Sequence, residues 1–307
     1  MKKFNVTLAL LTYNQEKYIK EAIESVLSQN YFPLEIILSD DYSTDNTYEI
    51  IEEITKKYKG EHKIILNKNK RNLGLINHVN KVFNELANGD IILLAAGDDV
   101  SLPNRVSDTI KIFKDNPDVY SVSMDYINID EEGRELKHKL KRIPKFFSLA
   151  NFYNNKPIPL LGFSRAYKKD IFKQFGALDP SCGVEDSNLV FRALLLGDLY
   201  HTNSIGVKYR RISSSLSSKI NTVEYSGIIY QRKVDLERAR ELNFINRYIY
   251  DKSMRTIERS KRKHKHLEKL FNTSSKLFYY IKNVSFNKDF SFNEKIVYFK
   301  HIIKRIL

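Results

Sequence analysis

Two apolar runs of strand length each lead into a pair of aspartates. Asp40-Asp41 follows the run LEIILS (34–39), and Asp98-Asp99 comes just after IILLAA (91–96). Such runs predict buried strands, and an open α/β sheet binds its ligand at the carboxyl ends of its strands. A third acidic pair, Glu185-Asp186, stands farther along the chain. Carboxylates in these places can hold a divalent metal, a ribose or a base, or accept a proton.

Strand-like and helix-like segments alternate through the first 124 residues. Helical spacing of apolar residues marks the segments between the apolar runs, with Ser43 expected to cap one helix and Pro103 to open another. The predicted strands are 4–11, 34–39, 63–67, 90–96 and 119–124, and the predicted helices are 16–29, 44–58, 76–87 and 103–115. This alternation predicts an α/β fold with a mostly parallel, doubly wound, Rossmann-like sheet.

The pattern changes after Asp125. Residues 128–160 predict a hairpin and surface loop, and the segments that follow predict helices at 168–175 and 185–196 and a strand at 205–209. Long helical patterns dominate from about residue 222. We therefore expect one large domain over residues 1–220 and a helical C-terminal appendage over residues 221–307.

The net charge of +14 is concentrated in the C-terminal part of the 307-residue chain. Residues 228–307 hold 20 Lys and Arg against 8 Asp and Glu, whereas residues 1–227 hold 31 against 29. This asymmetry indicates an anionic partner for the tail, either a membrane surface or nucleic acid. The single cysteine, Cys182, excludes an internal disulfide, and no apolar segment reaches the ~18 residues of a membrane span. We expect a cytoplasmic protein.

Four motifs in order resemble the family 2 glycosyltransferases. They are LALLTYNQEKYIKEAIESVLSQ (8–29), SDDYSTDNT (39–47), GDDVSLP (97–103) and VED followed by Arg after five residues (184–192). The resemblance covers about residues 4–215. It implies a single nucleotide-binding domain of the type called GT-A over residues 1–220, and transfer of a sugar from a nucleotide-diphosphate donor with inversion at the anomeric carbon.

The resemblance also implies that the turns after the first two predicted strands bind the nucleotide. Thr12, Tyr13 and Asn14 match the turn that packs around it, where a tyrosine ring can stack on a pyrimidine. Asp41 matches the acid that bonds the base or the ribose. Arg71 lies in a loop that borders the nucleotide in relatives, where a cation offsets diphosphate charge, although an arginine in KNKRN is also typical of a solvated surface.

Asp98 matches the residue that coordinates Mg²⁺ or Mn²⁺ in the family, and Asp99 is predicted to contact the nucleotide. The metal would bridge Asp98 to the donor diphosphate. Relatives often carry a third acid two positions before the pair, and here that position is Ala96. The alternative interpretation is that the two acids only stabilise the start of the following helix through its dipole.

Asp186 matches the general base that takes the proton from an acceptor hydroxyl. Glu185 and Arg192 are predicted to contact the acceptor or to support the acid pair. Helix-terminal acids without a catalytic role are the alternative. Many relatives have a histidine after the pair of arginines at 210–211, at times a metal ligand, and this chain has Ile212 and Ser213 there.

The resemblance leaves the partners open. A UDP-sugar is the favoured donor, with a dTDP-sugar as the alternative, and the acceptor is expected to be a glycan or a lipid-linked oligosaccharide in surface polysaccharide synthesis. An apolar stripe of Phe292, Ile296, Phe299, Ile303 and Ile306 beside lysines suggests that residues 261–307 lie on the anionic inner face of the cytoplasmic membrane, or simply pack on the domain.

Other protein classes fit the chain less well. A nucleotidyltransferase would need a glycine-rich phosphate loop after the first strand, and a dehydrogenase would need G-x-G-x-x-G there; TYNQEKY has neither. A protein that binds nucleic acid through its basic tail leaves the acidic clusters unexplained, so no nucleic-acid partner is expected. A nucleotide-binding relative with impaired catalysis stays open, because of Ala96 and the missing histidine.

Overall fold

The computed structural model describes residues 3–137, 146–212 and 225–272, together with residues 280, 283–285, 287–291, 294–296 and 298–299. The strands, in chain order, are β1 (Val6–Thr12), β2 (Glu35–Asp40), β3 (Lys63–Lys68), β4 (Ile91–Ala96), β5 (Val100–Ser101), β6 (Val119–Ile129), β7 (Phe146–Phe147), β8 (Arg165–Lys168) and β9 (Asp198–Arg210). The helices are α1 (Ile19–Leu27), α2 (Thr47–Lys57), α3 (Leu75–Lys81), α4 (Arg105–Asp115), α5 (Leu149–Tyr153), α6 (Asp170–Phe175), α7 (Asp186–Leu196), α8 (Tyr225–Glu241) and α9 (Arg247–Asn272).

The strands of the described residues form one mostly parallel sheet in the order β3-β2-β1-β4-β8-β6-β9-β5, with β7 paired to β9. Strands β1 to β4 run parallel, and β6 runs parallel to β9. The exceptions are short: β8 is antiparallel to both β4 and β6, and β5 and β7 are antiparallel to β9. This arrangement confirms the predicted α/β class.

Helices cover both faces of the sheet, because alternate side chains of each buried strand point to opposite faces. Leu8 and Ile36 pack in one cluster with apolar residues of α1, α2 and α4. Ala9 and Ile37 pack on the other face with residues of α3, α6 and α7. Strands buried on both faces need near-continuous apolar sequence, and β2 is accordingly buried along its whole length.

Several predicted boundaries were wrong. Asn46, and not Ser43, precedes the first residue of α2, since Ser43 is hydrogen-bonded to Asp40. The helix predicted at 76–87 ends at Lys81 and continues as a π-helical turn over Val82–Leu86. The strands predicted at 119–124 and 205–209 extend to Val119–Ile129 and Asp198–Arg210, because they pair with each other along most of their length.

The two C-terminal helices pack on α7. Phe191 and Leu195 of α7 form a buried cluster with Ile229 and Leu236 of α8 and Ile257 of α9. None of the helices in the described part of the chain combines the length and apolarity needed to cross a lipid bilayer. The division of the chain at residue 220 stays a prediction, although α8 is in direct contact with α7.

The predicted apolar stripe of the tail is described only in part. Ile296 is 36% exposed and Phe299 is 42% exposed. Phe292, Ile303 and Ile306 lie outside the described residues.

Candidate active site

The turns after β1, β2 and β4 meet at one end of the sheet. β1 lies between β2 and β4 and is parallel to both, so their carboxyl ends are adjacent. The backbone N–H of Asp41 donates to the carbonyl of Thr12 at 2.9 Å, and the N–H of Gly97 donates to the carbonyl of Leu11 at 3.0 Å. The first two acidic pairs therefore flank the turn formed by Thr12, Tyr13 and Asn14, the TYN turn.

The TYN turn is fastened to the turn after β2. Asn14 adopts a left-handed backbone with φ of 51°, which asparagine tolerates better than most residues. Its N–H donates to Ser43 Oγ at 2.8 Å, and its side-chain oxygen accepts from the Thr44 N–H at 2.8 Å. Thr12 is buried and bonds Gln15, whereas Tyr13 is 44% exposed. A ring with this exposure is available to stack on a flat ligand.

The Asp41 carboxylate holds the loop that carries Arg71. It accepts from Asn69 Nδ2 at 2.8 Å and from the backbone N–H groups of Leu73 and Gly74 at 2.8 and 2.9 Å. The side chain of Arg71 is exposed at the rim of this loop. Asp41 thus has a positioning role in the protein itself, and a contact from it to a base or ribose stays a prediction.

Arg210 fixes the turn that carries Asp98 and Asp99. Its backbone N–H donates to Asp99 Oδ1 at 2.8 Å, and its Nε donates to the carbonyl of Asp98 at 2.9 Å. Its remaining guanidinium nitrogens bond the carbonyls of Asp130 and Glu131 and the carboxylate of Glu21. Arg210 is buried and fully engaged, so it orders the acidic turn.

The negative charge of the buried Asp98-Asp99 turn is only partly compensated by its neighbours. Asp99 Oδ2 is buried and has no hydrogen-bond partner in the described part of the chain, which is costly for a carboxylate. Burial raises the pKa of Asp98, and burial together with the neighbouring Asp98 charge raises the pKa of Asp99 well above its usual range. A bound cation would remove both penalties.

These two carboxylates fit a divalent cation that is shared with a ligand. In the described part of the chain, no three His, Cys, Asp or Glu side chains converge on one point. Mg²⁺ commonly binds through one or two carboxylates plus substrate phosphates, rather than in an all-protein cage. Asp98 and Asp99 could hold the cation if a diphosphate supplied the other ligands.

The third acidic pair opens α7 and is half-buried. A Cβ placed on Gly162 would lie 3.0 Å from both Glu185 Oε1 and Asp186 Cβ, so this glycine permits a close approach. Burial, with the adjacent Asp186 charge, raises the pKa of Glu185 to about 7. Burial also raises the pKa of Asp186, although the charges of Arg165 and Arg232 oppose that rise. A raised carboxyl pKa is the usual property of a residue that exchanges protons near neutral pH.

Arg105 joins the second acidic pair to the third. Its guanidinium is buried and donates to Ser101 Oγ, to the carbonyl of Leu94 and, at 3.0 Å, to the carbonyl of Phe163. Phe163 directly follows the glycine that touches Glu185 and Asp186. The antiparallel pairing of Leu93 with Ala166 also places the residues before β8 beside those after β4. Both acidic pairs therefore lie at the same end of the sheet.

Arg192 lies away from the acidic pairs. Its guanidinium forms a two-pronged ion pair with Asp235 of α8 at 2.9 and 3.0 Å and also donates to the carbonyls of Gly176 and Ala177. Both partners of the ion pair are fully buried. Arg192 therefore binds α7 to α8, and a contribution from it to the acceptor or to the acid pair stays a prediction.

Sequence reasoning missed the buried arginines and an aromatic cluster. Phe163 stacks on Tyr209 with ring centroids 4.2 Å apart, and Tyr126 meets both rings edge-on. These rings are half-buried, and Phe163 and Tyr209 adjoin Gly162 and Arg210, which lie against the third and the second acidic pair. No spacing in the sequence indicated this cluster, because its members come from three distant segments.

Comparison with known proteins identifies the family. The model of "Glycosyl transferase family 2" matches residues 7–176, and the chain belongs to this family. The chain is 37% identical over 155 residues to an uncharacterized glycosyltransferase, MJ1057, of Methanocaldococcus jannaschii, covering 48% of this chain and 52% of that one. It is 34% identical over 141 residues to a putative glycosyltransferase, EpsE, of Bacillus subtilis, covering 46% and 49%. The chain spans about half the length of these curated relatives.

Solved structures share the fold at low sequence identity. S. aureus TarS 1–349 in complex with UDP superposes with a TM-score of 0.62 at 16% identity, covering 91% of this chain and 75% of that one. The Pyrobaculum calidifontis mannosyltransferase PcManGT, in complex with GDP-Man and Mn²⁺, gives a TM-score of 0.56 at 14% identity, covering 100% and 81%. These likenesses confirm the GT-A fold.

Proposed function

We propose that the chain is an inverting glycosyltransferase that moves a sugar from a nucleotide-diphosphate sugar to an acceptor hydroxyl. The observation that carries this proposal is the pairing of two acidic turns at one end of the sheet, joined through Arg105 and Phe163. One pair, Asp98-Asp99, would be stabilised by a bound cation, and the carboxyls of the other have raised pKa values, which suit proton exchange. Sugar transfer with a diphosphate leaving group uses both properties.

In the proposed reaction, Tyr13 and the loop held by Asp41 receive the nucleotide, and Arg71 at the rim of that loop faces the diphosphate. Asp98 and Asp99 would hold Mn²⁺ or Mg²⁺, which stabilises the negative charge that develops on the leaving diphosphate. The base is Asp186, which takes the proton of the acceptor hydroxyl. The acceptor oxygen forms its bond to the anomeric carbon as the bond to the diphosphate breaks, and the nucleoside diphosphate leaves with the electron pair.

A UDP-sugar is the favoured donor, and a dTDP-sugar is the alternative. Support comes from the fold of TarS, which has been seen with UDP and UDP-GlcNAc. PcManGT, of the same fold, binds GDP-Man with Mn²⁺, so a guanine nucleotide belongs in the test as well.

The test is a thermal-shift screen of UDP-, dTDP- and GDP-sugars with Mn²⁺ or Mg²⁺. A ligand at about 100 times its Kd stabilises a protein by ~2.7 kcal/mol, which for a chain of this size raises Tm by roughly 4 °C. We expect one nucleotide class to give such a shift only when the cation is present, followed by release of free nucleotide over time. A screen in which no nucleotide sugar raises Tm would overturn the proposal, and a shift without turnover would favour the impaired relative.

The acceptor is proposed to be a glycan or lipid-linked oligosaccharide at the inner face of the cytoplasmic membrane. What supports this is the charge on α9, where Lys261, Lys265 and Lys269 are exposed at steps of four residues. None of these three lysines pairs with a carboxylate within the described parts of the chain. A basic helical face of this kind is attracted to anionic lipid.

We expect the protein to sediment with vesicles that contain anionic phosphatidylglycerol and to stay in the supernatant with neutral phosphatidylcholine vesicles. Replacing Lys261, Lys265 and Lys269 by Ser should weaken this binding on the order of 100-fold, at ~1 kcal/mol per lysine. The matched control replaces three exposed lysines at the end of α2, namely Lys56, Lys57 and Lys59. Equal losses in both triple variants would show that net charge, and not the α9 face, is responsible.

A further inference from the structure

The α8 helix packs directly on the segment that leads into the candidate base. A Cβ on Gly227 would lie 1.9 Å from the carbonyl oxygen of Ser181, so only glycine allows this approach. Gln231 Oε1 accepts from the Asp179 N–H at 2.7 Å. These contacts, with the buried Arg192–Asp235 ion pair, make α8 one wall around the start of α7.

Arg232 of α8 reaches the first turn of α7. Its guanidinium lies over the rings of Phe152 and Phe191, 5.5 and 5.8 Å from their centroids. One of its terminal nitrogens is 3.5 Å from the carbonyl oxygen of Ser187, the residue after Asp186. Its Nε is buried and has no hydrogen-bond partner among the residues that the structure describes. A buried donor without a hydrogen bond destabilises the folded protein. A ligand or a carboxylate that accepted from this Nε would remove that penalty.

The charged and titratable groups that face Asp186 come from three elements. Glu185 precedes it on the same turn, Arg165 and Tyr167 come from β8, and Arg232 comes from α8. The Arg165 guanidinium is already engaged with the carbonyls of Pro159 and Leu160 and with Ser121 Oγ. Within the described residues, Arg232 is thus a second cation near Asp186, and its Nε is unpaired.

We propose that Arg232 is a positioning residue that places its positive charge beside Asp186 and holds the first turn of α7 in place for proton transfer. The role of Asp186 in this statement rests on the proposed function. Arg232 lies well beyond residue 176, where the family match ends. The C-terminal region thus supplies part of the acceptor side of the site.

The test measures the ionisation of Asp186 directly, in the full chain, by carbon-13 NMR of labelled aspartate carboxyls, with the signal assigned through Asp186→Asn. A neighbouring cation favours the charged carboxylate, so removing it raises the pKa. We expect Arg232→Met, which keeps the apolar stem on the two phenylalanines, to raise the pKa of Asp186 by ~1 unit. Arg232→Lys should restore most of that difference.

The matched control is Arg238→Met, which removes an exposed arginine from the same helix. It should leave the Asp186 signal unchanged. Nucleotide release from the donor sugar, followed against pH, provides the second readout. We expect the acidic limb of kcat/KM to move to higher pH in Arg232→Met by the same amount, with the KM for the donor unchanged.

Two outcomes separate this inference from the proposed function. An Asp186 pKa in Arg232→Met equal to that of the unaltered protein would overturn the inference, whatever the activity. Should Arg232→Met fail to fold, Arg232→Gln provides the same loss of charge for that comparison. A shifted pKa together with unimpaired transfer by Asp186→Asn would instead overturn the assignment of the base and leave the electrostatic contact standing.

Discussion

Replacement of Asp186 by Asn is expected to reduce sugar transfer by about three orders of magnitude, the range found for loss of a general base. The amide keeps the size and most of the packing of the carboxyl against Gly162, but it cannot accept the proton of the acceptor hydroxyl. The measurement is initial-rate nucleotide release with the donor identified by the thermal-shift screen. Nucleotide-induced stabilisation should be retained, since the Tyr13 and Asp41 turns are unaltered.

The chain offers a close control in Asp170→Asn. Asp170 is likewise the first residue of a helix, α6, but its side chain is 44% exposed and pairs with Lys173. A loss of helix-dipole stabilisation would therefore be similar in both variants, and only Asp186→Asn should lose turnover. Near-normal transfer by Asp186→Asn would make the assigned base wrong.

Replacement of Asp98 by Ala is expected to abolish the part of the nucleotide-induced Tm rise that depends on Mn²⁺ or Mg²⁺. Removing this carboxylate takes away one of the two protein ligands proposed for the cation. Stability without metal should be unchanged or higher, because burial already disfavours ionised Asp98 beside Asp99. The measurement is Tm with nucleotide, with cation and with both together.

The control for Asp98→Ala is Asp115→Ala, an exposed acid at the end of α4 on the same chain segment. It should keep the full cation-dependent shift of roughly 4 °C expected at saturating ligand. A cation-dependent rise of the same size in Asp98→Ala would contradict the proposed metal site. Loss of all stability without ligand would point instead to a structural role for Asp98 in the turn held by Arg210.

The parallel half of the sheet was predictable because its strands are encoded locally. Strands such as β2 and β4, buried on both faces, are short apolar runs, and the aspartates at their ends mark the site edge. The long pair β6 and β9 was underestimated, since the parts that were missed contain Asp125, Asn128 and His201, which are buried and satisfied by hydrogen bonds. Only the tertiary pairing makes those polar residues compatible with a core.

Strand β8 and the buried arginines were beyond sequence reasoning for a related reason. RAYK (165–168) is short and carries two cations, so neither periodicity nor composition indicates a central strand. Arg165 and Arg105 are nevertheless fully buried, because backbone carbonyls accept their hydrogen bonds, from the preceding segment for Arg165 and from the distant Phe163 for Arg105. The acidic residues were recognisable from the motifs. The arginines that fix the turns around them were not, because their contacts form only in the folded protein.

The buried Arg192–Asp235 contact also imposes an order on assembly during synthesis. The strands that lead to Asp41 and Asp98 can pair soon after residue 96 has left the ribosome, whereas Arg192 must wait for a partner 43 positions downstream. Until α8 emerges, Arg192 has no counter-ion and stays in water, because burying an unpaired cation is costly. The turns that hold Asp41 and Asp98 can therefore form first, and α7 is fixed in place only after α8 has left the ribosome.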